Sequence, residues 1–111
     1  MELEITVDDL KAALDRGAKI TLLDVREPWE YEVARVAGGK LMPMGDVRAR
    51  AHQELDEDDH IVVLCHHGVR SMHVANWLRQ QGFDKAQSLR GGIDRWSRAV
   101  DSSVYAPRVL A

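Results

Sequence analysis

A short segment in the second half of the chain contains the residue types of a thiol-based active site. Residues 65–70 read Cys-His-His-Gly-Val-Arg, and Ser71 follows them. A cysteine attacks as its thiolate, so a nucleophilic cysteine needs surroundings that favour an anion. Glycine lets the backbone curl where other residues resist, and arginine offers a bidentate fork to an oxyanion. The segment therefore predicts Cys65 as a nucleophile in an anion-binding loop, where His66 and His67 add donors near neutral pH.

Cys65 is the only cysteine among the 111 residues. A lone cysteine has two interpretations, a small buried hydrophobic residue or a reactive thiol. The sequence His-His-Gly after it favours the reactive thiol, because a core cysteine needs no such neighbours. Adjacent histidines make a poor ligand pair, and no zinc-type spacing of cysteine and histidine occurs, so we expect no metal site. We expect no cofactor either.

The residues on both sides of this segment predict the elements that position it. Residues 61–64 read Ile-Val-Val-Leu, an apolar run without alternation that is typical of a strand covered on both faces in a parallel sheet. Residues 69–81 predict a helix that Gly82 ends. In open parallel sheets, ligands bind beyond the carboxyl ends of the strands, where Cys65 would lie. A loop that enters a helix N-terminus can also direct several backbone N–H groups inward.

The other segments alternate between helices and short strands. Thr6 predicts the N-cap of a first helix, and Gly17 predicts its end. Further strands are predicted at residues 20–23, 41–44 and 86–89, and further helices at residues 28–33, at residues 47–55 and around Trp96. Pro43 gives the second of these strands an edge or irregular character. Short links between alternating elements predict an α/β fold with a mostly parallel sheet.

Length and composition are typical of a single folded domain. The chain has 111 residues, of which 45% are hydrophobic and 30% charged, and a net charge of −3. No apolar run approaches the ~20 residues that span a bilayer, and the N-terminus lacks the apolar stretch of a signal peptide, so a cytoplasmic location is expected. The sequence has no stripe of basic residues, so we expect no nucleic-acid partner. We predict one domain over residues 1–111, with its core at residues 3–100 and a tail at 101–111.

Three motifs together resemble the rhodanese family. Residues 22–31 read Leu-Leu-Asp-Val-Arg-Glu-Pro-Trp-Glu-Tyr, which is similar to the opening motif of that family. Residues 65–70 are similar to its active-site loop, and residues 91–96, Gly-Gly-Ile-Asp-Arg-Trp, to its closing motif. Their order and spacing are those of the family, and the resemblance covers residues 3–106.

The resemblance implies a fold and an activity. The fold is a three-layer α/β domain whose five-stranded, mostly parallel sheet is flanked by helices. The activity is transfer of sulfane sulfur from thiosulfate or a persulfide donor to cyanide or a thiol, through a persulfide on Cys65. The residues implied in binding the persulfide and the donor are His66, His67, Gly68, Val69, Arg70 and Ser71.

The resemblance also leaves departures and alternatives. Residues 34–36 and 37–39 differ from the glycine- and proline-containing turns of many members. Related phosphatases of this fold carry a longer loop, whereas four residues separate Cys65 from Arg70. A phosphatase or arsenate reductase is therefore disfavoured, and a sulfur-relay or regulatory module with little small-molecule activity stays open. In any of these sulfur reactions, an external thiol, cyanide or partner protein must discharge Cys65; the oligomeric state is left open.

Other residues of these motifs have structural interpretations. Asp24 and Arg26 are accessory site residues in one interpretation and a structural ion pair in the other, which we favour. We expect four aromatic residues to pack rather than to contact substrate: Trp29, Tyr31, Trp77 and Trp96. We expect three histidines at the surface: His52, His60 and His73.

Overall fold

Strands and helices alternate along the chain. In the computed structural model, which describes residues 1–104, the elements are β1 (Glu4–Ile5), α1 (Val7–Asp15), β2 (Ile20–Asp24), α2 (Pro28–Val33), β3 (Lys40–Leu41), a 3₁₀ turn (Met44–Asp46), α3 (Val47–Glu54), β4 (His60–Leu64), α4 (Val69–Gln80), β5 (Ala86–Leu89) and α5 (Gly92–Ala99). The predicted cap of α1 is confirmed, because the Thr6 hydroxyl accepts a hydrogen bond from the Asp9 N–H at 3.1 Å.

The five strands form one sheet in the order β1-β5-β4-β2-β3. Every pairing is parallel. Strand β4 lies at the centre and pairs with β2 from Ile20 opposite His60 to Asp24 opposite Leu64. Because the strands are parallel, all their carboxyl ends lie at one edge of the sheet, and the residues that follow β2 and β4 meet there.

Two apolar clusters cover the two faces of the sheet. Ile61 and Val63 of β4 pack in a cluster that includes residues of α3 and α4. Val62 and Leu64 pack in a second cluster, with residues of α1 and α5. All four side chains are buried, which confirms a strand covered on both faces. The two clusters confirm the three-layer α/β fold with a five-stranded parallel sheet.

The structure differs from the sequence prediction at both edges of the sheet. Strand β1 was not predicted, because its two residues carry no pattern; it is held by hydrogen bonds from Ser88 N–H to the Leu3 carbonyl and from Arg90 N–H to the Ile5 carbonyl. The strand predicted at residues 41–44 is wrong beyond Leu41. Proline has no N–H for a ladder, and after Pro43 the chain turns into the 3₁₀ segment.

The described part of the chain ends at Val104. Of the predicted tail, residues 105–111 lie outside the described residues, so a single domain over residues 1–111 stays a prediction. Within residues 1–104, no helix combines the length and apolar character that crossing a bilayer requires.

A buried ion pair closes strand β2. The Arg26 guanidinium is fully buried and lies 2.8 Å from the Asp24 carboxylate, as we expected of a structural pair. The same guanidinium donates to the backbone carbonyls of Glu30 at 3.4 Å and Ala34 at 2.6 Å. Arg26 therefore fixes α2 and the segment after it to the carboxyl end of β2.

We expect Arg26→Ala to lower the free energy of unfolding by about 3–5 kcal/mol, because it leaves the Asp24 carboxylate buried without its partner. Urea denaturation monitored by circular dichroism measures the change. Lys11→Ala is the matched control, since it removes the cation of an exposed pair with Asp15 and should cost no more than about 1 kcal/mol. Equal losses in the two variants would contradict the structural role of the buried pair.

Candidate active site

The Cys65 sulfur lies where β4 ends and α4 is about to begin. Its Sγ atom accepts hydrogen bonds from the Gly68 N–H at 3.0 Å and the Ser71 N–H at 3.3 Å. Cys65 is only 1% exposed and also packs in the apolar cluster of that face. Two backbone donors on one sulfur are not needed by a core cysteine, and they stabilise negative charge on it. The predicted inward N–H groups are therefore present for these two residues.

Two buried serine hydroxyl groups lie beside the sulfur, one in contact with it and the other bonded to the first. The Ser71 Oγ lies 3.3 Å from the Cys65 Sγ, 3.1 Å from the Gly68 carbonyl and 2.7 Å from the Ser88 Oγ of β5. Ser71 and Ser88 are both fully buried. When the sulfur is a thiolate, Ser71 can donate to it while accepting from Ser88. Sequence reasoning included Ser71 but missed Ser88, because a serine inside an otherwise ordinary strand carries no motif.

The N-terminus of α5 holds the first residues of the loop. The Ile93 N–H donates to the Cys65 carbonyl at 2.8 Å, and the Asp94 N–H donates to the His66 carbonyl at 3.0 Å. This approach requires Gly92, which has φ +63° and at which a Cβ would overlap the carbonyl oxygen of His66. Gly92 thus permits a close contact between backbones, whereas a Cβ on Gly91, which has φ +79°, would meet the side chain of Arg95.

Arg70 is held by a glutamate that the sequence interpretation did not single out. Its two terminal nitrogens bind the two Glu30 carboxylate oxygens at 2.7 and 3.0 Å. Hydrogen bonding from Arg70 lowers the pKa of Glu30 against the opposing effect of burial, and the pair raises the pKa of Arg70. Both groups are therefore charged at neutral pH. Donor binding by Arg70 stays a prediction, and an oxyanion would have to compete with Glu30 for the fork.

The two histidines of the loop stand next to each other in different environments. Their ring centroids are 4.0 Å apart. His67 is exposed, and its Nδ1 lies 3.8 Å from the Asp94 carboxylate. Burial lowers the pKa of His66, and the neighbouring His67 acts in the same direction. His66 is thus a neutral imidazole at pH 7. Among residues 1–104, no cluster of three or more potential ligands is placed to hold a metal ion.

The sequence profile of the Rhodanese-like domain matches residues 6–99. The chain belongs to the rhodanese-like domain family. A rhodanese-related protein from Thermoplasma volcanium has a crystal structure that superposes with a TM-score of 0.78 at 28% identity, covering 95% of this chain and 96% of that one. The solution structure of a rhodanese-like domain from Anabaena sp. gives a TM-score of 0.83 at 30% identity, covering 90% and 76%.

Two curated relatives carry names that refer to sulfur. The putative sulfur carrier protein YrkF of Bacillus subtilis is 38% identical over 94 residues, which is 85% of this chain and 50% of that protein. The probable adenylyltransferase/sulfurtransferase MoeZ of Mycobacterium tuberculosis is 34% identical over 97 residues, 86% of this chain and 25% of that protein. This rhodanese-like chain therefore spans half or less of the length of these relatives.

The remaining predicted residues of this rhodanese-like domain divide between core and surface. Trp96 is buried, as predicted, whereas the prediction that Trp29 packs is wrong, since it is 61% exposed. In the first turn of α2, Glu30 is buried instead. The Tyr31 hydroxyl donates to the Gly39 carbonyl at 2.9 Å, which ties α2 to the turn before β3. His60 is half-buried and its ring bonds to Gln87, so the expected surface position is wrong for it.

We expect Gly92→Ala to disturb the site, because the new methyl group would overlap the backbone of the loop. Gly17→Ala is the matched control: Gly17 also has a positive φ but has no atom within 4 Å of the position of a Cβ. The control should lose about 1–2 kcal/mol of stability from backbone strain, and Gly92→Ala a further 1–3 kcal/mol from overlap. Urea denaturation measures both, and similar losses would contradict the close contact.

We expect Glu30→Gln to remove a pH-dependent part of the stability. The pKa of Glu30 in the folded protein lies below its ordinary value of 4.5, chiefly through the hydrogen bond from Arg70. Such a carboxylate contributes stability that is complete above its unfolded pKa and is lost as the pH falls through its folded pKa. The difference in free energy of unfolding between the parent protein and Glu30→Gln should therefore be largest above pH 4.5 and shrink below it.

Urea denaturation at a series of pH values measures this difference. Glu32→Gln, which alters an exposed carboxyl on the same helix, controls for the change in net charge. A Glu30→Gln difference that does not vary with pH would contradict the ion pair.

Proposed function

We propose that this rhodanese-like chain is a sulfurtransferase that carries sulfane sulfur as a persulfide on Cys65. The observation that carries the proposal is the Cys65 Sγ atom with two backbone N–H donors, from Gly68 and Ser71, at the start of a helix. A sulfur that is attached to Sγ and bears negative charge suits such a site. The sulfur-carrier and sulfurtransferase names of the relatives support the same reaction class.

The proposed reaction has two displacements on sulfur. The Cys65 thiolate attacks the sulfane sulfur of the donor, the donor's bond to that sulfur breaks, and the rest of the donor leaves with the electron pair. From thiosulfate this leaving group would be sulfite. A thiolate or cyanide then attacks the outer sulfur of the persulfide and releases the Cys65 thiolate. No net oxidation occurs, so the cycle needs no further oxidant or reductant.

The other loop residues are proposed to bind and orient the reacting sulfurs. The N–H groups of Gly68 and Ser71 hold negative charge on the cysteine. The Ser71 hydroxyl donates to the Gly68 carbonyl when the sulfur is a thiol, and can donate instead to the thiolate that leaves in the second step, 3.3 Å away. Four other residues of the loop are proposed to contact the donor: His66, His67, Val69 and Arg70. Asp24 and Arg26 act at a distance by fixing the end of β2.

The tight closure of the loop favours sulfur over phosphorus. Four residues separate Cys65 from Arg70, and the chain returns to within 3.0 Å of the sulfur at the Gly68 nitrogen. A loop of this size leaves room for an added sulfur atom more readily than for a phosphoryl group with its three oxygens. Hydrolysis of an aryl phosphate faster than sulfur transfer would reverse this ranking.

A protein donor or acceptor is the second candidate, which makes the chain a module of a sulfur relay. Three of the exposed large apolar side chains lie within a few residues of the carboxyl ends of β2, β3 and β4: Trp29, Met44 and Val69. They surround the same edge of the sheet as Cys65 and would suit contact with another protein. A relay module would turn over small donors poorly and would form a thiol-linked complex with its partner.

We expect incubation with a sulfane sulfur donor to add one sulfur atom to the protein, and Cys65→Ser to add none, because the proposal has one carrier. Intact mass spectrometry measures the addition, and a thiol reductant should reverse it. Circular dichroism of Cys65→Ser provides the control for folding. Sulfur uptake or thiocyanate formation by Cys65→Ser at the parent rate would exclude Cys65 as the carrier.

A further inference from the structure

The charged side chains around Cys65 occur in compensated pairs. Both terminal nitrogens of Arg70 are bound by the Glu30 carboxylate, whose side chain is only 8% exposed. At the end of the neighbouring strand β2, Arg26 is bound to Asp24. Each pair has no net charge. The one arginine that the active loop contains therefore contributes little positive potential to an incoming anion.

Three further basic side chains near the loop are also weakly basic or lie beside a carboxylate. His66 is neutral at pH 7, since burial lowers its pKa. His67 faces the Asp94 carboxylate at 3.8 Å. Arg90, which lines the surface depression beside Gly68, lies 3.3 Å from the Glu4 carboxylate. At the sulfur itself, the donors that the structure gives are the backbone N–H groups of Gly68 and Ser71.

A site with paired side-chain charges and two backbone N–H donors at the sulfur should favour some classes of sulfur donor over others. Thiosulfate is a small dianion and releases sulfite, another dianion, so its binding and its departure both require strong positive charge in a partly desolvated site. An organic persulfide carries at most one charge on its sulfane sulfur and releases a thiol. Two backbone N–H groups match the smaller charge.

We propose that the sulfur donor of this chain is an organic persulfide rather than thiosulfate, and that Glu30 sets this preference by occupying the fork of Arg70. The inference rests on the proposed sulfurtransferase function. In the loading step, the Cys65 thiolate attacks the outer sulfur of R–S–SH and the sulfur–sulfur bond of the donor breaks. R–S⁻ leaves with the electron pair and takes up a proton, and Cys65 becomes the persulfide.

Glu30→Gln tests the role of Glu30 directly. The amide of glutamine is similar in shape and can still accept one hydrogen bond from Arg70, but it leaves the positive charge of the guanidinium uncompensated. A hydrogen bond to a charged group is worth enough to change an affinity by about tenfold or more. We therefore expect kcat/KM for thiosulfate to rise by about tenfold. The rise should be smaller for cysteine persulfide, whose ammonium and carboxylate groups cancel and whose net charge is that of its sulfur.

His67→Lys tests the same inference without altering the ion pair. It places a permanent cation on an exposed position of the loop, so the fold should tolerate it. The matched control is His52→Lys, an equal change in net charge at an exposed residue of α3. That residue contacts Phe83, just beyond the C-terminal end of α4 and thus at the end of the helix remote from Cys65. His67→Lys should raise thiosulfate turnover in a manner that added salt suppresses, and His52→Lys should not.

The measurement is the ratio of kcat/KM for cysteine persulfide to that for thiosulfate, in the parent protein and the three variants. We expect the parent ratio to exceed about ten, and both Glu30→Gln and His67→Lys to lower it. A parent protein that uses thiosulfate as efficiently as the persulfide overturns the donor assignment but leaves Cys65 as carrier. A ratio unchanged in both variants overturns the role of Glu30. If neither donor loads Cys65, the proposed function itself fails.

Discussion

The N-terminus of α5 binds the first two carbonyl groups of the loop that contains Cys65, and this contact fixes the position at which the loop begins. The N–H groups of Ile93 and Asp94 bind the carbonyls of Cys65 and His66. In a trans peptide, the carbonyl and the next N–H point in opposite directions, so binding one side of a peptide plane orients the other. These contacts thus orient the first two peptide planes of the loop, and with them the N–H groups of His66 and His67. The N–H groups of Gly68 and Ser71, farther along the chain, reach the sulfur. The close approach of Gly92 to the backbone of Cys65 and His66 makes these hydrogen bonds possible.

A second constraint comes from the other side, through the short helix α2. Arg26, at the end of β2, binds the backbone carbonyl of Glu30, while Arg70, in the loop after β4, binds the Glu30 carboxylate. The first arginine is fully buried and its role is structural; the second is partly exposed at the edge where the strands end. One glutamate therefore joins the strand end, the helix and the catalytic loop. A substitution at Glu30 acts on charge and on position together, which is why the donor ratio and the pH dependence of stability are needed as separate readouts.

The sequence alone predicted the elements whose signals are local. The apolar run before Cys65 indicated a central buried strand, and the six-residue loop indicated a site, because both patterns are complete within a few consecutive residues. Strand β1 could not be predicted from its own residues, since these two residues become a strand only by pairing with β5. The Glu30–Arg70 pair spans forty residues of sequence and the Ser71–Ser88 pair seventeen, and no local pattern encodes such contacts. The family resemblance supplied the fifth strand, which the residues themselves did not indicate.

The exchange of burial between Trp29 and Glu30 has a physical explanation. An apolar side chain is normally buried and a carboxylate exposed, yet here the tryptophan is exposed and the glutamate buried. Burial of the charge is compensated, because the carboxylate binds Arg70 and also accepts the Glu27 N–H at 2.9 Å, which caps α2. Trp29, in contrast, keeps most of its apolar surface in water, beside the same edge of the sheet. Trp29 is left exposed because the neighbouring position of the helix holds a carboxylate that Arg70 and the Glu27 N–H keep in the interior.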